Sequence, residues 1–407
     1  MGAPLVGIRV LDLSRVLAGP YATQILADLG ATVWKVEPPW GDETRGWGPP
    51  FVGGESAYFL AVNRGKKGLA INLKDERGQA LVRELARRAD VLVENYKVGD
   101  LARYGLDYAS LSPLNERLIY ASITGFGQEG PRAAEPGYDI ALQGMTGIMS
   151  VTGEPDGPPT KVGVAWIDVM TGMMAAVGIL AALFERERSG RGQHLDLSLL
   201  EVGLSAMANL AQSFLVTGVP PRRVGNAHPQ IVPYQAFEAV DGWFIVAVGN
   251  DTQFRRMCEA IGRPDLADDE RFRTNEGRVR HRDELVPILA KLLRSRPRQA
   301  WLDALRQAGV PAAPVYHLGE ALGDPQSVAR GVVWRVSHPS LGELPVVASP
   351  LQHLSRTPAS PSGPPPLLGE HTVEVLVEEL GLSPEAIEEL RASGVIATGS
   401  PPARRPA

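Results

Sequence analysis

The stretch Ala165-Trp166-Ile167-Asp168-Val169-Met170-Thr171-Gly172 leads into an apolar segment, residues 173–188. Within that segment, apolar side chains recur at steps of three and four residues, which predicts a helix with one buried face. We expect the helix to end at Arg188, because Ser189-Gly190-Arg191-Gly192 supplies glycines for a C-cap. Asp168 therefore lies near the positive end of a helix, where a carboxylate is favoured in its ionised form.

On spacing alone, Asp168 has two interpretations. Aspartate at a helix start is most often a cap, whose side chain accepts a hydrogen bond from a free backbone amide. The alternative is a reactive carboxylate. The spacing favours the cap, so other residues must decide between the two.

Strands and helices alternate along the rest of the chain. Residues 7–13 predict a strand, a helix follows that ends at Gly30, and residues 31–36 predict a second strand, which makes one βαβ unit. The alternation continues with a helix over residues 76–88 and strands over residues 69–73, 90–95, 117–123 and 194–198. This pattern predicts an α/β fold with a mostly parallel sheet covered on both faces.

Glycine- and proline-rich segments suggest where domains begin and end. We assign residues 1–215 to the first part of a large domain and residues 225–325 to a smaller α/β domain, in which Asp241-Gly242 predicts a hairpin. Residues 330–395 are expected to return to the large domain. Residues 396–407, which include a proline-rich end, are expected to form a disordered tail.

The composition describes a soluble globular protein. Of 407 residues, 44% are hydrophobic and 21% are charged, and the net charge of −5 favours neither nucleic-acid nor membrane partners. The single cysteine, Cys258, excludes an internal disulfide and a multi-cysteine zinc site. Together with a start that lacks signal-peptide features, this predicts a cytoplasmic location. The run from Met173 to Phe184 is short enough to predict a buried helix and not a membrane span.

The first βα loop excludes one common ligand class. Arg15-Val16-Leu17-Ala18-Gly19-Pro20 does not supply the G-x-G-x-x-G fingerprint, which disfavours NAD binding. A parallel sheet still predicts a ligand site at the carboxyl ends of its strands.

Several blocks, taken together and in order, carry a more specific signal. They are Gly7 to Leu13, Leu26 to Ala31, Lys35 to Glu37, Asp90 to Tyr96, Thr124 to Gly127, Gly137 to Ile140, Ile167-Asp168 with its helix, and Pro366 to Thr372. In this order they resemble the family III CoA-transferases, the CaiB/BaiF group. The resemblance covers nearly the whole chain.

The resemblance implies a fold, an assembly and a chemistry. The family has a large Rossmann-like domain and a small domain, and two chains form an interlocked homodimer. The aspartate at the position of Asp168 is the family's nucleophile, which favours the reactive interpretation of this residue. A coenzyme A thioester is the substrate, and neither a permanently bound cofactor nor a metal is expected.

Further site residues carry over by position. Tyr138 matches a tyrosine near the reacting acyl group, although it would otherwise be read as a loop aromatic packed on the sheet. Positions that line the CoA site in the family correspond to Val16, Leu17, Ala18, Asn95, Tyr96 and Arg103. Leu17 replaces a glutamine of the formyl-CoA transferases, which argues against formyl or oxalyl specificity. A solvated surface arginine remains an equal alternative for Arg103.

Three blocks look most like one branch, the succinate–hydroxymethylglutarate CoA-transferases: Trp47 to Gly53, Ala61 to Lys67, and Ile231 to Phe237. That likeness predicts transfer of CoA from succinyl-CoA to a small dicarboxylate. Arg45 and Arg64 are candidates for clamping a remote carboxylate, since arginine binds carboxylates through two parallel hydrogen bonds. Either arginine is equally compatible with a structural ion pair.

Two other functions stay open at this point. The α-methylacyl-CoA racemases share the fold but carry a histidine–aspartate pair where this chain has Tyr138-Asp139, and tyrosine is a poor base at neutral pH. A catalytically silent CoA-binding protein is the third possibility, which the retained Asp168 disfavours.

Overall fold

A seven-stranded sheet forms the centre of the larger of two units in the computed structural model, which describes residues 2–399. The strands of the described chain are β1 (Arg9–Asp12), β2 (Thr32–Glu37), β3 (Phe51–Val52), β4 (Glu55–Ser56), β5 (Lys66–Ile71), β6 (Val91–Glu94), β7 (Ile119–Thr124), β8 (His194–Ser198), β9 (Tyr234–Ala239), β10 (Gly242–Ala247), β11 (Ala312–Pro314), β12 (Val333–His338), β13 (Gly342–Val347) and β14 (Ile396–Ala397).

The helices are α1 (Ala18–Asp28), α2 (Ala57–Ala61), α3 (Glu76–Arg88), α4 (Tyr108–Leu111), α5 (Asp139–Met145), α6 (Ile148–Val151), α7 (Trp166–Ser189), α8 (Leu199–Ala206), α9 (Ala208–Thr217), α10 (Asp251–Ala260), α11 (Asp265–Asp268), α12 (Asn275–Arg280), α13 (Arg282–Leu293), α14 (Arg298–Gln307), α15 (Leu318–Gly323), α16 (Pro325–Ala329), α17 (Thr372–Leu380) and α18 (Pro384–Ala392). Short 3₁₀ turns cover Glu43–Gly46, Ala102–Tyr104 and Pro350–His353.

The predicted α/β class is confirmed. The central sheet has the order β14-β5-β2-β1-β6-β7-β8, and its strands are parallel except β14, which pairs antiparallel with β5. The inner strands β1 and β6 are almost entirely buried, as expected for a sheet covered on both faces. The chain moves from β1 out to β2 and β5, then returns to the other side of β1 with β6.

The smaller unit comprises residues 148–161 and 213–327. Its three-stranded antiparallel sheet has the order β11-β10-β9. The hairpin predicted at Asp241-Gly242 joins β9 to β10. A separate apolar core, with Phe237, Phe244 and Trp301 buried in it, holds the unit's helices on this sheet.

Three of the predicted boundaries need correction. Residues 148–161, assigned to the large domain, group with the smaller unit, whose main segment begins at residue 213 and not at 225. The predicted disordered tail began at residue 396, but Ile396 and Ala397 form β14 at the edge of the sheet. Residues 400–407 of that predicted tail lie outside the described residues.

Helix α7 is longer than the sequence pattern indicated. It begins at Trp166, so Asp168 lies in its first turn, and it spans 24 residues up to the left-handed Gly190. By length and composition α7 could cross a membrane, and α8 and α9, bent by 80° at the break between them, pass the same test as a pair. The most apolar window of α7 is 44% buried within the described residues.

Gly172 sets how closely α1 and α7 approach. A Cβ atom added at Gly172 would lie 2.6 Å from the carbonyl oxygen of Ala18, which is backbone and has little room to move. A Cβ atom at Gly178, further along α7, would meet only the tip of the Leu195 side chain, at 2.7 Å. The two glycines of α7 therefore differ in whether a larger side chain fits at their position.

We expect Gly172→Ala to lower the free energy of unfolding by about 1–3 kcal/mol, the usual cost of overpacking. Gly178→Ala is the matched control, expected to be neutral or slightly stabilising because alanine favours the helix and Leu195 is able to rotate away. Urea denaturation followed by circular dichroism measures both. Equal effects of the two variants would contradict the close approach at Gly172.

Candidate active site

The candidate site lies where the order of the sheet reverses, between β1 and β6. In open α/β sheets, ligands bind at the carboxyl ends of the strands at such a switch point. The loops after the two strands are joined there. Asn95 accepts a hydrogen bond from the backbone amide of Arg15 at 2.8 Å and donates one to the Arg15 carbonyl at 2.7 Å.

A cleft opens at this point and brings together most of the site residues predicted from sequence. Its lining includes Val16, Leu17, Ala18, Asn95, Tyr96, Tyr138 and Asp168. They come from the start of α1, the loop after β6, and the first residues of α5 and α7. Residues far apart in the chain thus face one cavity within the larger unit.

Asp168 is not the cap of α7. The N-cap residue is Ala165, which has no side chain able to accept a hydrogen bond. Asp139, in the first turn of α5, takes that role from another helix: its Oδ1 accepts hydrogen bonds from the amides of Ile167 at 2.8 Å and Asp168 at 3.3 Å. Gln143 donates to Asp139 Oδ2 at 2.6 Å and fixes the carboxylate.

Asp139 is the residue that the sequence reading missed. The family resemblance marks its neighbour Tyr138 as a site residue, whereas the sequence distinguishes Asp139 only as half of the Tyr138-Asp139 pair. One signal was available, because a buried helix that starts at an alanine needs a capping group from elsewhere.

The environment raises the pKa of Asp168 to about 7. Burial is the main cause and the negative charge of Asp139 adds to it. This corrects the expectation that the helix terminus would keep Asp168 fully ionised at neutral pH. Asp139 already occupies the free amides, so its charge opposes ionisation of the neighbouring carboxyl.

A buried charge network holds the loop that forms one wall of the cleft. Asp12, fully buried at the end of β1, accepts hydrogen bonds from Lys66 Nζ at 3.0 Å and from the amide of Ser14 at 3.0 Å. Lys35, also fully buried, donates to the Ser14 carbonyl at 3.0 Å and to Asp42 at 3.1 Å. The backbone amide and the carbonyl of Ser14 are therefore both held by buried charged side chains, which fixes the loop.

Val16 adopts an unusual backbone conformation within this loop. Its φ of 68° lies in the left-handed region, which a β-branched residue rarely enters. Such strain is of order 1–3 kcal/mol and persists where surrounding contacts enforce it. Here the bonds of Asn95 to Arg15 and the network below Ser14 do so.

Tyr138 occupies the N-cap position of α5, and its side chain is 67% exposed. The ring is therefore not packed into the sheet, which was its structural alternative. It borders the cleft together with Asp168.

Three predicted residues do not line the cleft. Arg103 pairs with Asp100 and leaves 75% of its side chain exposed, which matches its alternative as a surface residue. Arg45 binds both oxygens of Glu37, at 2.6 and 2.7 Å, and Arg64 binds both oxygens of Asp28, at 2.9 and 2.6 Å.

The carboxylate clamp predicted at Arg45 and Arg64 is thus corrected. Each guanidinium already has a bidentate partner inside the protein, and each belongs to a structural ion pair. Freeing either one for a ligand would leave a buried carboxylate unpaired, which costs about 3–5 kcal/mol.

Comparison with known proteins agrees with this geometry. Residues 5–372 match the model of CoA-transferase family III. The chain belongs to this family. It is 50% identical to a succinate–glutarate CoA-transferase of Agrobacterium fabrum over 92% of this chain and 95% of the relative. It is 44% identical to a succinyl-CoA:glutarate CoA-transferase of Mus musculus, over 97% and 90% respectively.

A solved structure supports the same assignment. The crystal structure of a CaiB/BaiF family protein from Brucella suis has a TM-score of 0.84 to this chain at 44% identity, with 93% of this chain and all of that one covered. The resemblance seen in the sequence is confirmed, and the protein is a CoA-transferase with a coenzyme A thioester as substrate.

The family III assignment disfavours the two alternatives. A racemase needs a second base beside the α-carbon, and this chain has Tyr138-Asp139 where the racemases carry a histidine–aspartate pair. No group of three or more His, Cys, Asp or Glu side chains suited to a metal occurs in residues 2–399.

The raised pKa of Asp168 predicts a pH dependence. With Asp168 as the nucleophile that the family resemblance implies, attack on a thioester requires the carboxylate, so kcat/KM for the acyl-CoA should rise with pH and level off above about 7. Asp139→Asn keeps an oxygen acceptor but removes the negative charge. We expect it to move the rise to lower pH by about one unit.

Asp139→Ala serves as the companion variant. It removes the helix cap as well as the charge, so kcat should fall at every pH in addition to the shift of the profile. Initial rates between pH 5 and 9 measure both. A profile of Asp139→Asn that coincides with that of the wild type would contradict the coupling of the two aspartates.

Proposed function

We propose that this CoA-transferase moves CoA from succinyl-CoA to glutarate or a similar small dicarboxylate, through covalent intermediates on Asp168. The observation that carries the chemistry is a carboxylate, recessed at the switch-point cleft, whose pKa is near neutrality. The substrates are inferred from the two relatives named as succinate–glutarate and succinyl-CoA:glutarate CoA-transferases, which match 92% and 97% of the chain.

The first half of the reaction charges the enzyme with CoA. A carboxylate oxygen of Asp168 attacks the thioester carbon of succinyl-CoA, the carbon–sulfur bond breaks, and CoA leaves as a thiolate. The products are a mixed anhydride and the thiolate. The thiolate then attacks the aspartyl carbonyl, which releases succinate and leaves an aspartyl-CoA thioester.

The second half reverses these steps with the acceptor. A glutarate carboxylate attacks the aspartyl thioester and forms a new anhydride, and the released thiolate attacks its glutaryl carbonyl. Glutaryl-CoA leaves and Asp168 is regenerated as a carboxylate. One thioester replaces another of similar energy, so the cycle needs no ATP.

The site supplies three physical requirements of this cycle. Asp139 and Gln143 fix the first turn of α7 and so hold the nucleophile in place. The strained loop at Val16 and the start of α1 form the opposite wall. Leu17, an apolar side chain in that wall, leaves the acyl group in a less polar setting than glutamine would.

We expect the wild type to form glutaryl-CoA from succinyl-CoA and glutarate, and Asp168→Ala to reduce this rate by several orders of magnitude while folding normally. Succinyl-CoA alone should add the mass of coenzyme A, less one water, to the wild-type peptide that contains Asp168. Chromatography of the CoA esters and mass spectrometry of the digested protein measure these outcomes.

Asp156→Ala is a matched control, because Asp156 is an exposed aspartate of the smaller unit. It should behave as the wild type. Activity of Asp168→Ala within about tenfold of the wild type would overturn the assignment of the nucleophile.

We also propose that the chain forms the homodimer implied by the family. The apolar face of α7 that the sequence pattern predicted to be buried is not buried within one chain, since Met173, Met174, Val177 and Phe184 are between 39% and 70% exposed. Apolar side chains in such a row on a soluble protein mark an interface. A second copy of this chain would bury them.

Light scattering after gel filtration should therefore give twice the mass of one chain. We expect Val177→Glu to weaken the dimer or its soluble yield. The control Val240→Glu, at an equally exposed valine of the smaller unit, should have no effect. A monomeric wild type at micromolar concentration would contradict the dimer.

A further inference from the structure

Arg15 lies at the switch point itself, in the loop between β1 and α1, and lines the cleft that contains Asp168. Its main chain is held in both directions by Asn95. The guanidinium carbon lies 5.1 Å from the centre of the Tyr96 ring, which supports the side chain from one face. The direction of the guanidinium is thus set by two residues of the neighbouring strand's loop.

One terminal nitrogen of this guanidinium is paired with a carboxylate and the other is not. Nη1 donates to Glu43 at 2.7 Å. Nε is buried and has no hydrogen-bond partner within residues 2–399, and the described chain offers none to Nη2 either. A guanidinium nitrogen without a protein partner is a charged donor suited to a carboxylate oxygen.

The cleft needs a cation if it is to receive a dicarboxylate. Glu43 and Glu135 add negative charge to its lining, which opposes entry of a dianion, whereas Asp168 is uncharged as the CoA thioester that meets the acceptor. The other cation of the described lining is Lys97, an exposed residue whose flexible side chain keeps its ammonium hydrated. Arg45 and Arg64 are occupied by internal carboxylates.

We propose that Arg15 binds the remote carboxylate of the dicarboxylate while the other carboxylate reacts at Asp168. Glu43 holds Nη1 and leaves Nη2 as the donor available to the acceptor. This inference rests on the proposed function, since it assigns the group that distinguishes a dicarboxylate from a monocarboxylate of similar length. Arg15 is then the specificity-determining residue of the cleft.

The test compares glutarate with butyrate as acceptors in the wild type and in Arg15→Gln. In a ping-pong reaction, kcat/KM for the acceptor reports only the half-reaction from the CoA-loaded enzyme, so the carboxylate of succinyl-CoA does not interfere. We expect Arg15→Gln to lower kcat/KM for glutarate by about 100-fold and to leave that for butyrate within about threefold. Arg15→Lys, which keeps the charge without the planar guanidinium, should fall between them.

Lys97→Gln is the matched control, because it removes the other cation of the cleft. Its ratio of glutarate to butyrate should equal that of the wild type. Circular dichroism and the retained butyrate rate show whether Arg15→Gln folds, and Arg15→Lys provides the comparison if it does not.

Two results would overturn the proposal. If Arg15 instead contacted a phosphate of CoA, Arg15→Gln would lower kcat/KM equally for both acceptors. That loss would disappear with succinyl-pantetheine as donor, because pantetheine has no phosphate. An unchanged ratio in both Arg15 variants would likewise exclude the role. Either result leaves the proposed function intact, whereas a wild type that fails to use glutarate at all would contradict the proposed function itself.

Discussion

The buried ion pair between Asp12 and Lys66 is the constraint on which the site depends. Both side chains are withdrawn from water. Burial lowers the pKa of Lys66 to about 8 despite the opposing charge of Asp12. Lys66 also donates to the carbonyl of Pro20 at 2.9 Å, so one ammonium joins the end of β1 to the start of α1. Losing either partner would leave an unpaired buried charge, which few folds tolerate.

This pairing explains how a strained loop can stand opposite a reactive carboxylate. The left-handed Val16 is stable only because its neighbours are fixed on every side. A less constrained loop would relax, and the cleft wall and the guanidinium of Arg15 would lose their direction. The pKa of Asp168, raised to about 7 by burial, makes this carboxylate more basic than an ordinary aspartate, which suits the nucleophilic role proposed for it.

The sequence predicted those helices and strands whose ends are set by neighbouring residues in the chain. It did not predict features that depend on a residue distant in the sequence. Helix α3 matched its predicted bounds because Asp75 caps it through its own side chain, and α17 ends at the left-handed Gly381, as a glycine there indicates. The start of α7 was placed too late, because its cap is Asp139, a residue of another helix.

The arginines show the same limit. Charge and position made Arg45 and Arg64 reasonable ligands, but their carboxylate partners, Glu37 and Asp28, come into contact only in the folded sheet. The environment of Arg15 could not be predicted from sequence either, because the ring of Tyr96 and the side-chain amide of Asn95 contact it across the switch point. The general location of the cleft could be predicted from sequence. The blocks that resemble a family identify the positions of its site residues, which residue spacing alone does not do.

The closing segment of the chain has a consequence for solubility. Outer strand β5 would offer unpaired amides to other molecules, and edges of this kind seed aggregation. Here Thr372 Oγ1 accepts from the amide of Ala70 at 3.0 Å, His371 Nδ1 accepts from that of Gly68 at 3.2 Å, and β14 pairs with the end of the strand. A chain truncated before His371 would keep its cleft residues but expose the unpaired amides of β5. Truncated variants should therefore be tested for aggregation as well as for catalysis.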